Sequence, residues 1–218
     1  MVLGIYGSGG LGREVLDLVR EISSIKKEWS KIVFINDFKE TPIVNGIVVC
    51  NYEEFTAQFP PEKARIVIAI GEPKVRQTLR EKVMASGYGF QTLVHPTAFV
   101  GSDTQIGEGT TIQYSSFISC NVNVGTNVLL QPFTCIGHNS VIGNDAVISS
   151  CAVISGTCVV GERAFIGLGV SARESTTIGS DSIVGMGSVV FRDVPEGVIA
   201  LGNPARAMKN NESGFVFK

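Results

Sequence analysis

Ile136–Ser171 reads, broken into sixes, IGHNSV IGNDAV ISSCAV ISGTCV VGERAF IGLGVS, and an aliphatic residue opens every block. Carried outward in both directions, the series is Val100, Ile106, Ile112, Ile118, Val124, Leu130, Ile136, Ile142, Ile148, Ile154, Val160, Ile166, Ala172, Ile178, Val184 and Val190. Only Ala172 departs from the branched aliphatics. Two places earlier in each step stands a mostly small residue, such as Thr134, Ser140, Ala146 or Cys158, with Val122, Val128 and Val170 larger but still β-branched. A period of six fits neither an amphipathic helix nor a plain alternating strand, so a short strand plus a turn repeats as one unit.

Three such units close a triangular coil, and residues eighteen apart stack at the inter-strand spacing of about 4.8 Å. Columns follow by arithmetic. Gly107, Gly125, Gly143, Gly161 and Gly179 fall in register, which marks one edge of the prism as a place where a side chain would obstruct the backbone. The aliphatic column carries no charge, so the interior is a dry Ile/Val ladder. His138, two residues past Ile136, falls at or near a corner and is exposed to the groove there. Gly156 stacks one coil above it, and its backbone N–H can face an oxyanion. Gly167-Leu168-Gly169 stacks on Gly185-Met186-Gly187.

The first third of the chain reads differently. Residues 2–6 (VLGIY) form a buried strand, and Gly7-Ser8-Gly9-Gly10-Leu11-Gly12 leads into a helical pattern through Val15, Leu18, Val19 and Ile22. Gly7, Gly9 and Gly12 satisfy the GxGxxG spacing between a strand and a helix, the arrangement that lets backbone N–H groups approach a phosphate. A second strand, Ile32–Ile35, ends at Asn36-Asp37, where the acid can accept from a ribose or a base, or stand as a solvated loop residue. A third, Arg65–Ile70, ends at Gly71 and precedes a helix over Pro73–Ser86, after which Phe90–Val94 makes a last strand. Three β-α units suffice for a mononucleotide and fall short of NAD. Their strand ends place Gly7, Ser8, Gly9, Gly10, Gly12, Asn36, Asp37 and Gly71 in one expected pocket. The division is 1–94 for this unit and 95–218 for the prism and its tail.

A formal net charge of -2 and the lack of a long basic run argue against a nucleic-acid partner. No signal peptide or bilayer-length apolar stretch is evident, so a cytoplasmic protein without membrane insertion is expected. The five cysteines form no CxxC pair, and their odd count suits a reducing compartment.

The repeat, closing in Asp193-Val194-Pro195 and Gly202-Asn203-Pro204-Ala205-Arg206, resembles the hexapeptide-repeat acyltransferases. With the glycine-motif unit in front of it, the whole chain is similar to the bacterial sugar acetyltransferases that include UDP-4-amino-sugar N-acetyltransferases and the sialic acid O-acetyltransferase family. The resemblance implies an α/β half-Rossmann domain followed by an all-β left-handed parallel β-helix. It implies a nucleotide-sugar held by the first domain, acetyl-CoA as co-substrate on the helix, no metal, and a homotrimer with sites between neighbouring prisms. Exposed apolar positions such as Phe117, Phe133 and Phe165 fit such an assembly.

The same resemblance makes His138 the general base, with Gly156 near the thioester and Val147, Gly156, Gly167, Leu168, Gly185 and Met186 along acetyl-CoA. Two positions depart from the family pattern. Asn139 stands where some members carry an acid that raises the basicity of the histidine, and Val147 stands where some carry a second histidine. His95, before a proline at the domain junction, reads as structural. The expected reaction is acetyl transfer to the amino group of a nucleotide-linked sugar; O-acetylation and a non-catalytic nucleotide-binding role remain as alternatives. A γ-type carbonic anhydrase is excluded by count, since it needs three zinc-binding histidines and the prism offers one. A full NAD-dependent oxidoreductase would need a second half of the domain.

Overall fold

The computed structural model of the chain describes residues 1–38 and 41–217; Lys218, the last residue of the expected second domain, lies outside them. The first unit consists of β1 (Val2–Tyr6), α1 (Gly10–Ile25), β2 (Lys31–Ile35), β3 (Ile43–Val44), β4 (Ile47–Cys50), α2 (Tyr52–Gln58), β5 (Ala64–Ile68), α3 (Pro73–Ala85) and β6 (Gly89–Phe90). Its sheet has the order β3-β4-β2-β1-β5-β6, parallel except for β3 on β4. Leu3, Ile5, Val15, Leu16, Val19 and Phe34 close one face, and Ile35, Phe55, Ile66 and Ile68 the other. Two of the fingerprint glycines, Gly7 and Gly12, have a local cause. Gly7 sits at φ +120°, and a Cβ on Gly12 would lie 2.1 Å from the Gly7 carbonyl oxygen, so helix and strand approach only because that side chain is missing.

The segment between the second and third expected units holds more than a loop. Asn45 and Gly46, both at positive φ, turn the β3–β4 hairpin, as the Asn-Gly pair of a two-residue hairpin does. Asn51 then caps α2 in a reciprocal box with Glu54. The last expected strand is likewise two pieces. Gly89–Phe90 finishes the α/β sheet on β5, whereas Leu93–Val94 pairs with Thr111–Ile112 and opens the prism. The reason is the six-residue step itself, because Val94 lies six before Val100 and packs on the prism core.

Beyond it run three parallel faces of two-residue strands. The first carries Leu93–Val94, Thr111–Ile112, Leu129–Leu130, Val147–Ile148, Phe165–Ile166 and Ile183–Val184; the second runs from Phe99–Val100 to Val189–Val190; the third from Gln105–Ile106 to Thr177–Ile178. Partners are eighteen apart throughout, as in Ile136 on Ile154. The second residue of each strand points inward, and from Ile112 on these residues form one continuous buried column. A hairpin of Val198–Leu201 and Arg206–Asn210 covers the last coil of the first face.

The in-register glycines are required by the next coil. A Cβ on Gly161 would lie 2.4 Å from the Ser180 backbone nitrogen, and one on Gly143 2.5 Å from that of Glu162. Two residues later in the turns comes the left-handed position, φ between about +54° and +73° at Gly109, Asn127, Asp145 and Arg163. Gly161→Ala is expected to destabilise the prism by about 1–3 kcal/mol, the cost of overpacking a site that cannot relax. Thermal unfolding checks it, and an unchanged midpoint would contradict the close contact.

The two units are riveted by α3. Arg76, fully buried, donates to the carbonyls of Ile68 and Ile70 at 2.9 Å and to Asn127 Oδ1 at 2.8 Å. Asn127 donates to Asp145 Oδ1 at 2.7 Å, and Arg80 grips the Asp145 carboxylate through Nε and Nη2. Burial lowers the Arg76 pKa to about 10, with Asp145 opposing the shift. Asn127 and Asp145 occupy the same left-handed turn position one coil apart.

Candidate active site

A cleft of about 860 Å³ opens between the α/β unit and the edge joining the first and second prism faces. The α/β unit contributes Gly71 and the α1 residues Glu14, Asp17, Leu18 and Glu21. From the prism come His95, Gln113, Gln131, Ser149, Gly167 and Gly185, which are successive members of one eighteen-residue column. Val147 and Phe165 line it from the adjoining face, and Leu168 and Met186 project from the corner, both exposed. Five of the residues expected along acetyl-CoA, Val147, Gly167, Leu168, Gly185 and Met186, thus share one wall. Gly167 tolerates no side chain, since a Cβ there would lie 2.6 Å from the Met186 nitrogen.

His138, Asn139 and Gly156 lie elsewhere, on the edge joining the second and third faces. The stacking of His138 with Gly156 is close. A Cβ on Gly156 would fall 2.7 Å from both Cε1 and Nε2 of the imidazole, so the ring lies against glycine backbone that no side chain covers. His138 is exposed. The Gly156 carbonyl accepts from Ser175 N–H, and its own N–H has no partner among the described residues. Asn139 is at φ +58°, the left-handed position of its turn, where Asn is among the best-tolerated residues; its N–H reaches the Cys120 carbonyl at 3.2 Å. The residue therefore has a conformational reason to be Asn.

The residues expected to hold the nucleotide are spread along the carboxyl edge of the sheet. Asn36 donates to Ser8 Oγ at 2.8 Å, which ties the end of β2 to the glycine turn. A Cβ at Gly9 or Gly10 would meet nothing within 4 Å, leaving that turn and the start of α1 open. Asp37 is engaged by the protein itself: its carboxylate accepts from Tyr6 OH at 2.6 Å, Lys82 Nζ at 2.9 Å and Tyr52 N–H at 2.8 Å. Burial pushes its pKa up, but these donors outweigh it and hold the carboxyl below its usual range. Burial and Asp37 together push the Tyr6 hydroxyl the other way. Asp37 faces a second, more polar groove with Asn51, Thr56 and Lys82, while Gly71 opens into the main cleft. The eight residues do not form a single pocket.

Sequence reasoning missed the cleft residues His95, Gln113, Tyr114 and Gln131. The signal was present: counting back by eighteen from Gly185 and Gly167 passes through Gln131, Gln113 and His95. His95 is more than a junction residue. Its Nδ1 accepts from Thr97 N–H at 3.1 Å, its ring meets Tyr114 edge-on, and burial lowers its pKa. Phe165, expected as an outer apolar position, is instead half-buried beneath the C-terminal segment. Among the described residues no group of three or more His, Cys, Asp or Glu is placed to hold a metal ion, and no helix is long and apolar enough to cross a membrane.

The second face, between these two edges, is apolar on its outside. Phe99 and Phe117 stack at 5.1 Å, Val153 follows in the same column, and Tyr114 and Phe133 meet at its corner. Half-buried Cys135 lies between Phe117 and Val153 in this column and the polar Ser171 follows Val153, so the strip is largely rather than wholly apolar.

Comparison with known proteins places these features. Residues 2–83 match the PglD N-terminal domain. GDP-perosamine N-acetyltransferase of Escherichia coli O157:H7 is 32% identical over 112 residues, 50% of this chain and 49% of that protein, so the match spans about half of this curated relative. Among solved structures, WeeI from Acinetobacter baumannii AYE superposes with a TM-score of 0.88 at 30% identity, covering 95% of this chain and all (100%) of that one. A mutant of perosamine N-acetyltransferase from Caulobacter crescentus, in complex with CoA and GDP-perosamine, has a TM-score of 0.87 at 28% identity, covering 96% and 98%. The fold is thus an α/β Rossmann-like unit followed by a left-handed parallel β-helix. The chain belongs to the bacterial hexapeptide-repeat sugar acetyltransferases.

Proposed function

We propose that this chain transfers the acetyl group of acetyl-CoA to the amino group of a nucleotide-linked amino sugar, in a homotrimer whose active sites lie between copies. The observation that carries the reading is the placement of two half-sites on the two edges that flank one apolar face. The cleft with Leu168 and Met186 lies on one edge, and His138 with Gly156 on the other. Packing the apolar face around a threefold axis brings the cleft edge of one copy to the His138 edge of the next, in a closed cyclic assembly. CoA and GDP-perosamine in the Caulobacter structure support the substrate classes.

The chemistry follows from the groups available. The sugar amine attacks the thioester carbonyl and the C–N bond forms. His138 takes the proton that the nitrogen must lose, acting as a positioned general base through its imidazole nitrogen. The carbonyl oxygen becomes an oxyanion, which the uncommitted Gly156 N–H stabilises. Collapse breaks the C–S bond, and the departing thiolate recovers the proton from the imidazolium. Asn139 brings no charge to this cycle. The pantetheine arm runs along Val147, Gly167, Leu168, Gly185 and Met186, where the paired glycines leave a smooth wall, and the turn Gly7–Gly12 with Asn36 faces the nucleotide.

The test is release of CoA thiol from acetyl-CoA against a panel of GDP-, UDP- and dTDP-linked 4-amino sugars, with free sialic acid as the O-acetylation control. Release with one amino-sugar class supports the reading. Release with sialic acid alone moves the reaction to O-acetylation, and nucleotide binding with no release anywhere leaves a binding role.

A further inference from the structure

The segment 211–217 crosses from the β-helix to the α/β unit. At its start Asn211 is fixed on the helix, its N–H to the Gly197 carbonyl at 2.7 Å and its amide to the Asp181 carbonyl at 3.2 Å. Lys74 then donates to the Ser213 carbonyl at 3.4 Å and sits 4.9 Å over the Phe215 ring. Its far end is held by one carboxylate. Glu72, only 8% exposed, accepts from the N–H groups of Val216 and Phe217 through Oε2, at 2.9 and 3.0 Å.

The consequence is the position of one ring. Phe217 meets Phe165 edge-on at 5.5 Å, lies 3.8 Å from where a Cβ of Gly71 would stand, and lines the cleft while staying 58% exposed. An aromatic ring left open to solvent gains little for folding, yet here its backbone is fixed by a buried carboxylate and its edge by a second ring. It stands between the strand end at Gly71 and the wall of Gly167, Leu168 and Met186. A nucleotide-linked sugar that reaches from the first to the second would pass its pyranose over this ring. Sugars present C–H groups on one face, and an aromatic face is the partner such a surface takes, because the contact buries apolar area without stranding a polar group.

We propose that Phe217 is the stacking platform for the pyranose ring of the acceptor, and that Glu72 is a positioning residue acting through it. The proposal rests on the reading of the acceptor as a nucleotide-linked sugar, and its test is a binding measurement that needs no turnover. Calorimetric affinities of the full chain are compared for GDP-, UDP- and dTDP-linked 4-amino sugars, each beside its own nucleoside diphosphate. Phe217→Ala should weaken the sugar nucleotide about tenfold, the scale of one well-packed aromatic contact, and leave the diphosphate unchanged. Phe217→Tyr should restore the affinity. Glu72→Ala should reproduce the loss, whereas Glu72→Gln, which keeps an oxygen for the two N–H groups, should not. Equal weakening of sugar nucleotide and diphosphate, or of neither, would overturn the platform, as would a wild-type chain that binds both equally. Phe217-dependent binding without acetyl transfer would leave the platform standing and remove the proposed activity. Acetyl transfer with a Phe217→Ala affinity equal to wild type would do the reverse.

Discussion

Replacing His138 with alanine is expected to lower kcat for acetyl transfer by about 10²–10⁴-fold, the contribution of a positioned general base, while acetyl-CoA and the nucleotide-sugar still bind. The separation follows from the geometry. Within one copy His138 stands apart from the cleft that Leu168 and Met186 line, so its removal leaves the residues of that wall in place. It also supports no packing, being exposed and lying against the backbone of Gly156. The variant should fold with an unchanged unfolding midpoint. Steady-state kinetics check this, and a rise in KM with kcat preserved would make His138 a binding residue instead.

The second large effect is on stability. Arg76→Ala should cost about 3–5 kcal/mol, as breaking one side of a buried charged network does. The guanidinium supplies donors to the carbonyls of Ile68, Ile70 and Asn127 and to Asn127 Oδ1, and its removal withdraws all of these donors from acceptors that are buried or part-buried. Its loss also removes one of the cations near Asp145, whose carboxylate would then rest on Arg80 and Asn127. Arg76→Lys should recover only part, because an ammonium cannot span the fork of acceptors. The measurement is urea unfolding followed separately by a probe in each unit. The α/β unit should detach at lower denaturant than the prism; coincident curves at the wild-type midpoint would show that the rivet carries little.

The two halves of this fold were legible to different degrees for a physical reason. In the prism each residue's neighbours are set by arithmetic, so Gly156 beside His138 and Gly167 beside Gly185 follow from counting. The hairpin and α2 went unread, although their local signals, Asn45-Gly46 and Asn51 followed by Glu54, stand in the sequence. Long-range docking was not legible. Glu72 meets Phe217 across 145 residues of chain, and Glu14, Asp17 and Glu21 of α1 line the cleft beside prism residues that lie far away in sequence. No spacing encodes either. Asp37 shows the opposite limit: its place at the end of β2 was plain, while its engagement by Tyr6 at the end of β1, 31 residues earlier, and by Lys82 on a helix 45 residues later depends on how those elements pack.

The most direct test of a site shared between copies is subunit mixing. His138→Ala removes the base edge and Leu168→Trp fills the cleft edge, so each variant alone should be nearly inactive. Refolded together in equal amounts, random trimers should regain about one quarter of wild-type activity, since a working site needs an intact base from one copy and an intact cleft from its neighbour. Recovery at that level would place the reaction between copies. A mixture no more active than its components would contradict the account, because base and cleft would then have to serve the site from one chain.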